Sequence, residues 1–126
     1  MQDAFFREQG VDFDLIIGKN WMRGTLNVSI LPNEFHILKP DFSLQAVAWT
    51  DILPPENFFI VTTVAAHKGR EYRGVLYQPD PFTKTDHLQP PTMMEIIAEK
   101  IPSLQYGDEI TLRFSSGKIG ISPYRG

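Results

Sequence analysis

The sequence predicts a mainly β domain of the β-rich α+β class: an antiparallel meander that forms a small barrel or a bent sheet, one main helix over about residues 92–101, and a C-terminal hairpin. Three observations predict it. Apolar and polar residues alternate along several short segments, which is the pattern of half-buried strands. Proline, glycine and asparagine separate these segments, as turn residues do. The chain has 126 residues, a length typical of one domain, so we expect residues 1–126 to form a single globular unit.

The first part of the chain is predicted to alternate between short elements and turns. In its clearest strand, Leu26, Val28 and Ile30 alternate with polar residues, as expected when one face is buried. Pro32-Asn33 follows as a tight turn, because proline fixes φ and asparagine tolerates the left-handed region. The predicted elements here are a helix over residues 3–9, a strand over 13–17 and a hairpin over 25–38.

The middle of the chain is predicted to continue the meander. Residues 58–65 are β-branched and aromatic, which is typical of a central strand. Pro54-Pro55 places a loop before it, since proline cannot donate to a strand ladder. The predicted strands cover residues 44–49, 58–65 and 72–77, with a turn at 67–70. Residues 78–91 contain four prolines and are predicted to form a long loop of the kind that is often functional or disordered.

The last part is predicted to hold the main helix and a hairpin. Thr92 and Glu95 have the spacing of a capping box. Met93, Met94, Ile97 and Ile101 recur at helical spacing, and Pro102 ends the pattern. Alternating apolar residues over 110–121, interrupted by a turn at 115–117, predict the C-terminal hairpin.

Composition excludes several classes of function. The chain has no cysteine, so it has no disulfide, thiolate metal site or cysteine nucleophile. Its net charge of −3 argues against nucleic-acid binding, which needs clustered cations. No apolar run approaches the roughly 20 residues of a transmembrane segment, and the acidic start is unlike a signal peptide. We therefore expect a cytoplasmic protein with no transmembrane segment.

The residues that carry catalysis elsewhere do not form a recognisable set here. Asp80, Asp86 and His87 share the long loop, as either a polar turn-rich segment or a metal site. Ser115-Ser116-Gly117-Lys118 lacks the first glycine of a phosphate loop. Ser29 and His36 could be cross-strand neighbours in the predicted hairpin, but a Ser–His pair without an identifiable acid or oxyanion hole is most often incidental. The prediction is no catalytic residue, no metal and no cofactor.

Four residues are candidates for binding a ligand or partner: Lys68, Arg70, Arg73 and Phe82. The three cations lie on a turn and the start of a strand. They either receive a phosphate, a lipid headgroup or an acidic patch, or they keep a sheet edge soluble. Phe82 stands alone in a polar loop, where it either anchors a partner or packs the loop onto the sheet.

One stretch resembles the bacterial pleckstrin-homology-like and GRAM-type domains. The residues that carry the resemblance are Gly24-Thr25-Leu26, Val28, Phe35, Ile37 and Trp49-Thr50-Asp51-Ile52. The resemblance implies a scaffold that binds lipid or protein and has no catalytic residues. Those domains end in a helix that closes one mouth of the barrel, whereas here the predicted helix precedes a further hairpin.

The resulting functional prediction is a non-enzymatic protein–protein interaction module or a small subunit of a larger assembly. Its expected partner is another protein or a second copy of the chain. The alternative is a pleckstrin-homology-like β-barrel that binds a lipid or another anionic ligand. An enzyme that uses the Asp80, Asp86 and His87 loop with a metal ranks third.

Overall fold

The computed structural model describes residues 13–22, 24–47, 56–79 and 90–125, with the side chains of 44–47, 56 and 57 excepted. The described part of the chain is mainly β and its strand pairs are antiparallel, as predicted. Its elements are α1 (Phe13–Ile16), β1 (Leu26–Ser29), β2 (Asn33–Ile37), β3 (Phe42–Val47), β4 (Glu56–His67), β5 (Arg70–Pro79), β6 (Met93–Ala98), β7 (Thr111–Arg113) and β8 (Ile119–Pro123).

The described strands form a six-stranded central sheet and a separate strand pair. The central sheet has the order β1-β6-β5-β4-β3. Strand β7 also pairs with β4, beside its C-terminal half, while β3 pairs with the N-terminal half. Strands β2 and β8 make the second, two-stranded sheet, which we call the strand pair. The long strand β4 therefore organises the fold, since three other strands pair with it.

Both faces of the central sheet carry buried side chains. Successive residues of a strand point to opposite sides of the sheet, so each face has its own cluster. The face that we call the helix face packs against α1 and Trp21. The opposite face, the strand-pair face, packs against Phe35 of β2. Buried residues of the helix-face cluster are Phe13, Ile17, Trp21, Phe58, Ile60, Val75 and Ile97. Those of the strand-pair-face cluster are Phe35, Val61, Leu76, Met94, Ile96 and Ala98.

The predicted main helix over residues 92–101 is wrong, because Met93–Ala98 is strand β6, between β1 and β5. Ile96 and Ile97 are both fully buried, on opposite faces of the sheet. A continuous apolar run of this kind suits a central strand as well as a helix, and the two neighbouring strands decide between them. Thr92, the predicted N-cap, is instead buried and accepts a backbone hydrogen bond from Ile30.

The predicted hairpin over residues 25–38, which begins the predicted meander, and the predicted C-terminal hairpin are also wrong, although their strands exist. β1 pairs with β6, and β2 pairs with β8, rather than with each other. Likewise β7 pairs with β4, so residues 110–121 do not form a C-terminal hairpin. Alternation indicates which face of a strand is buried but carries no information about its partner.

The segment predicted as a strand over residues 13–17 is the helix α1. Phe13 and Ile17, four residues apart, are both fully buried, while Leu15 between them is 80% exposed. The amide of Ile17 donates to the carbonyl of Phe13, which is the helical spacing. The predicted helix over residues 3–9 lies outside the described residues.

The predicted meander is confirmed over β3, β4 and β5, which pair in sequence order. The β4–β5 turn consists of Lys68 with φ 50° and Gly69 with φ 77°. Two successive residues with positive φ match the type I′ turn that joins strands most tightly. The sheet is bent but open, since no hydrogen-bonded ladder joins β1 to β7 or β3 among the described residues. The barrel alternative is therefore not formed.

Strands β5 and β6 approach each other closely at Gly74. A Cβ atom at this position would lie 2.9 Å from the carbonyl oxygen of Ile97 and 3.2 Å from the Cβ of Ala98. We therefore expect Gly74→Val to lower the free energy of unfolding by about 1–3 kcal/mol, because overpacking forces the strands apart. Chemical denaturation measures this, with Gly24→Ala as the control, since nothing lies within 4 Å of a Cβ there. Equal stability of the two variants would contradict the β5–β6 packing.

Candidate functional site

The predicted basic residues lie at two places on the β4–β5 hairpin. Lys68 and Arg70 are exposed at the hairpin tip. Arg73 lies further along β5, where its backbone amide donates to Glu99 at 2.7 Å and its Nε lies 3.4 Å from the same carboxylate oxygen. Phe82, the fourth predicted residue, lies outside the described residues.

A second arginine, which the sequence did not single out, lies in line with Arg73. Val64 on β4 faces Arg73 of β5 on one side and Arg113 of β7 on the other. The two arginines line a shallow cleft of about 520 Å³ on the helix face. Arg113 Nη1 lies 2.7 Å from Glu71 Oε2, so each arginine has a carboxylate partner. This row is therefore close to neutral.

The hairpin tip is fastened to the segment that precedes β7. His67 is buried, and its Nε2 donates to Asp108 Oδ2 at 3.0 Å, since a carboxylate only accepts. The same oxygen accepts the backbone N–H of Gln105 at 3.0 Å. The Gln105 amide and the His67 ring, helped by the nearby charge of Lys68, hold the pKa of Asp108 below its usual 3.8. Residues 105–108 are thus held in place beside the sheet.

The outer edge of β1 is unpaired in the part of the chain that the structure describes. The amide of Ile30 donates to the carbonyl of Thr92 at 2.8 Å, so Ile30 and Thr92 form a hydrogen-bonded pair that continues the β1–β6 register. Such pairs alternate along an antiparallel ladder. The backbone N–H and C=O of Val28 therefore point toward β6, whereas those of Asn27 and Ser29 point away from the sheet. This edge offers unused donors and acceptors to another strand.

A groove of about 570 Å³ runs along that edge. One wall consists of Thr25 and strand β1, and the other is the segment 104–110 that leads into β7. We call the space between β1 and residues 104–110 the seam, because it separates β1 from the segment that leads into β7. Its charged lining residues are both acidic, Asp108 and Glu109, and Tyr106 on the same wall is fully exposed.

An apolar groove of about 350 Å³ adjoins the seam on the strand-pair face. Val28 lines both spaces, so they meet at β1. Ile121 in this groove is 55% exposed although it lies on the inner side of the strand pair, opposite Phe35. The apolar side chains that line this groove are Val28, Ile30, Met94, Leu112, Phe114, Ile119 and Ile121.

A polar cluster holds the β7–β8 turn against β4. Asp41 Oδ2 accepts hydrogen bonds from the backbone amide of Thr62 at 2.8 Å and from its hydroxyl at 3.0 Å. Lys118 Nζ lies 2.8 Å from the other oxygen, Oδ1. Burial raises the pKa of Asp41, but the Lys118 and Thr62 hydrogen bonds outweigh it, so the pKa lies below the usual 3.8. Lys118, considered above as part of a phosphate loop, is engaged in this cluster.

We expect Asp41→Asn to lower the free energy of unfolding by about 1–3 kcal/mol at neutral pH, because it weakens hydrogen bonds to a charged group. A carboxyl with a lowered pKa in the folded state stabilises the fold above its unfolded pKa and loses that contribution as pH falls. The stability difference between wild type and variant should therefore shrink as pH falls below 3.8. Denaturation across pH measures it, with the exposed Glu109→Gln as control. A difference that does not change with pH would contradict the cluster.

The described residues bring together no group of three acidic or histidine side chains that could hold a metal ion. Ser29 and His36 are not cross-strand neighbours, because they lie in different sheets, opposite Met93 and Gly120. His36 is exposed and lies 3.7 Å from Glu34. Asp80, Asp86 and His87 lie outside the described residues, so the loop hypothesis stays a prediction.

The described residues form an open antiparallel sheet, and the outer edge of β1, with which none of them pairs, borders a partly apolar groove. No protein-family model, no curated protein and no solved structure matches the chain. The resemblance to pleckstrin-homology-like and GRAM-type domains accordingly stays a prediction. Within the described residues, no helix has the length and apolar character needed to cross a membrane.

Proposed function

We propose that the protein is a non-enzymatic interaction module that binds an extended segment of a partner protein in the seam, as an added strand next to β1. The observation that carries this proposal is the outer edge of β1, with which no described residue pairs, along a groove lined by Thr25 and all four residues of that strand. Strand addition draws its affinity from backbone hydrogen bonds and its specificity from pockets for alternate side chains.

The dimensions of the seam suit such a segment. Strand β1 has four residues, so its edge is about 13 Å long at roughly 3.3 Å per residue. The outward groups of Asn27 and Ser29 provide two donors and two acceptors at the spacing of a strand ladder. A groove with both a backbone edge and an apolar flank is a binding surface for a peptide rather than for a compact solute.

The second wall of the seam, residues 104–110, supports a binding role for the outer edge of β1. Native proteins normally protect free edges by charge, proline or cover. Residues 104–110 stand across from β1, and the His67–Asp108 hydrogen bond fixes them there. This wall lies on the side from which a second copy's sheet edge would approach β1, which favours a single extended chain as the occupant.

Site-specific photo-crosslinking tests the proposal. A photoreactive residue in place of Thr25, which lines the seam, is compared with one in place of Arg70 at the hairpin tip. We expect native partners to be cross-linked from position 25 through a short segment that mass spectrometry identifies, and not from position 70. Cross-links from position 70 alone would overturn strand addition in favour of the basic tip.

A second candidate function is the binding of a lipid headgroup or another anionic ligand. The observation in its favour is the exposure of Lys68 and Arg70, with the Arg73–Val64–Arg113 row on the neighbouring face. Flotation with anionic vesicles that is lost in Lys68→Glu/Arg70→Glu would establish it. Absence of flotation would remove it. The cytoplasmic location also stays a prediction, which cell fractionation tests.

A further inference from the structure

We infer that the segment bound in the seam alternates apolar and polar residues and carries a lysine or arginine beside its apolar core. This inference rests on the proposed function and deepens it, because it names the chemistry of the partner segment. Two independent features of the lining carry it: the apolar groove at Val28, and the two acidic residues of the 104–110 wall, Asp108 and Glu109.

The apolar positions follow from the sheet geometry. Side chains of directly opposite residues in neighbouring strands lie on the same face. Val28 and Ile30 point to the strand-pair face, where they line the apolar groove. Residues of an added strand opposite these two positions would place their side chains over Leu112 and Phe114. The residue between them would lie beside Ser29, and the next residue past the one opposite Val28 would lie beside Asn27; Asn27 and Ser29 are both exposed. The seam therefore selects an apolar–polar–apolar pattern.

The charge preference follows from the opposite wall. Asp108 and Glu109 line the seam, and no lysine or arginine lines it among the described residues. Asp108 keeps its charge at neutral pH, because hydrogen bonds lower its pKa. Glu109, the residue that follows Asp108 in the chain, is exposed. A cation on the bound segment would meet these carboxylates, whereas an anion would be repelled.

A second copy of the chain is a poorer occupant than a basic segment. Pairing of two β1 edges about a two-fold axis presents the same surface from both copies. Each copy would then bring its own Asp108 and Glu109 toward those of the other, and each 104–110 wall would face the opposing sheet. Like charges at such an interface oppose association.

Binding of two designed heptapeptides tests the inference. Both alternate isoleucine and threonine; one is flanked by lysines and the other by glutamates. Fluorescence anisotropy with the full chain should show the lysine-flanked peptide binding roughly three- to tenfold more tightly at low salt, with the ratio shrinking at high salt. Glu109→Lys should abolish or reverse the preference, while Glu34→Gln, on β2 and outside the lining of the seam, should leave it unchanged.

The remaining outcomes separate the inference from the proposed function. Equal binding of both peptides, lost in both cases in Asn27→Pro, would overturn the charge preference and leave strand addition intact. A threonine-only peptide that binds as well as the isoleucine peptides would overturn the apolar pattern. Failure of every peptide to bind would overturn the inference and strand addition together. A wild-type dimer that Asn27→Pro converts to a monomer would identify a second copy as the occupant and overturn the basic-segment assignment.

Discussion

Replacing Trp21 with alanine is expected to lower the free energy of unfolding by about 3–5 kcal/mol, as truncation of a buried aromatic residue does. Trp21 is 2% exposed and packs edge-on against Phe13, with ring centroids 5.1 Å apart. Its Nε1 also donates to Asp14 Oδ1 at 2.9 Å. The indole therefore joins α1 to the helix face of the sheet through both packing and a hydrogen bond.

Chemical denaturation measures the effect of Trp21→Ala, and Leu15→Ala is the matched control. Leu15 belongs to the same helix but is 80% exposed, so its truncation should change stability by no more than about 0.5 kcal/mol. Because whole domains are stable by only about 5–15 kcal/mol, the Trp21 variant should be near the limit of folding. A loss below about 1 kcal/mol would show that α1 does not cover the sheet as described.

Asn27→Pro is expected to weaken partner binding while leaving the fold intact, and Val28→Pro is expected to destabilise the fold. The difference follows from the ladder, in which the amide of Asn27 points out of the sheet and that of Val28 points toward β6. Proline is tolerated on an edge strand where the missing N–H faces solvent. At position 28 it removes a ladder hydrogen bond and leaves the carbonyl of Met94 unpaired, at a cost of about 1–3 kcal/mol.

Thermal denaturation and partner binding, measured together, distinguish the two variants. Asn27→Pro should melt within a few degrees of wild type and bind at least about tenfold more weakly, because it loses a backbone donor and obstructs the edge. Val28→Pro should melt at a clearly lower temperature. Partner binding by Asn27→Pro at wild-type strength would remove the β1 edge from the site.

Much of the strand content could be predicted from local pattern, but the pairing could not. Leu26 and Val28 alternate with polar residues because β1 is more buried on one face than on the other, and this alternation can be recognised in the sequence. The partner of β1 is β6, whose residues Ile96 and Ile97 are both buried. With apolar residues on both faces, β6 has no apolar–polar alternation, and its apolar residues fit the spacing of a helix equally well.

In the candidate site, too, local features could be predicted from the sequence, whereas contacts between distant residues could not. The type I′ turn at Lys68-Gly69 could be expected from residue types, because glycine takes positive φ without a steric cost. The ion pair between Arg113 and Glu71 joins residues 42 positions apart, and no local pattern indicates it. The seam is still harder to predict from the sequence, since its position depends on which strand edge remains unpaired once the other strands have paired.

Hydrogen exchange at single amides of β1, measured with and without the lysine-flanked peptide, shows whether the outer edge of this strand is open and binds an extended segment. In the free protein, Val28 and Ile30 should be protected, whereas Asn27 and Ser29 should exchange rapidly, because their amides face the seam. Addition of the peptide should slow exchange at Asn27 and Ser29 and leave Lys68 and Arg70 unchanged. Protection of Asn27 and Ser29 before any peptide is added, or no slowing of their exchange afterwards, would contradict an open edge that binds an extended segment.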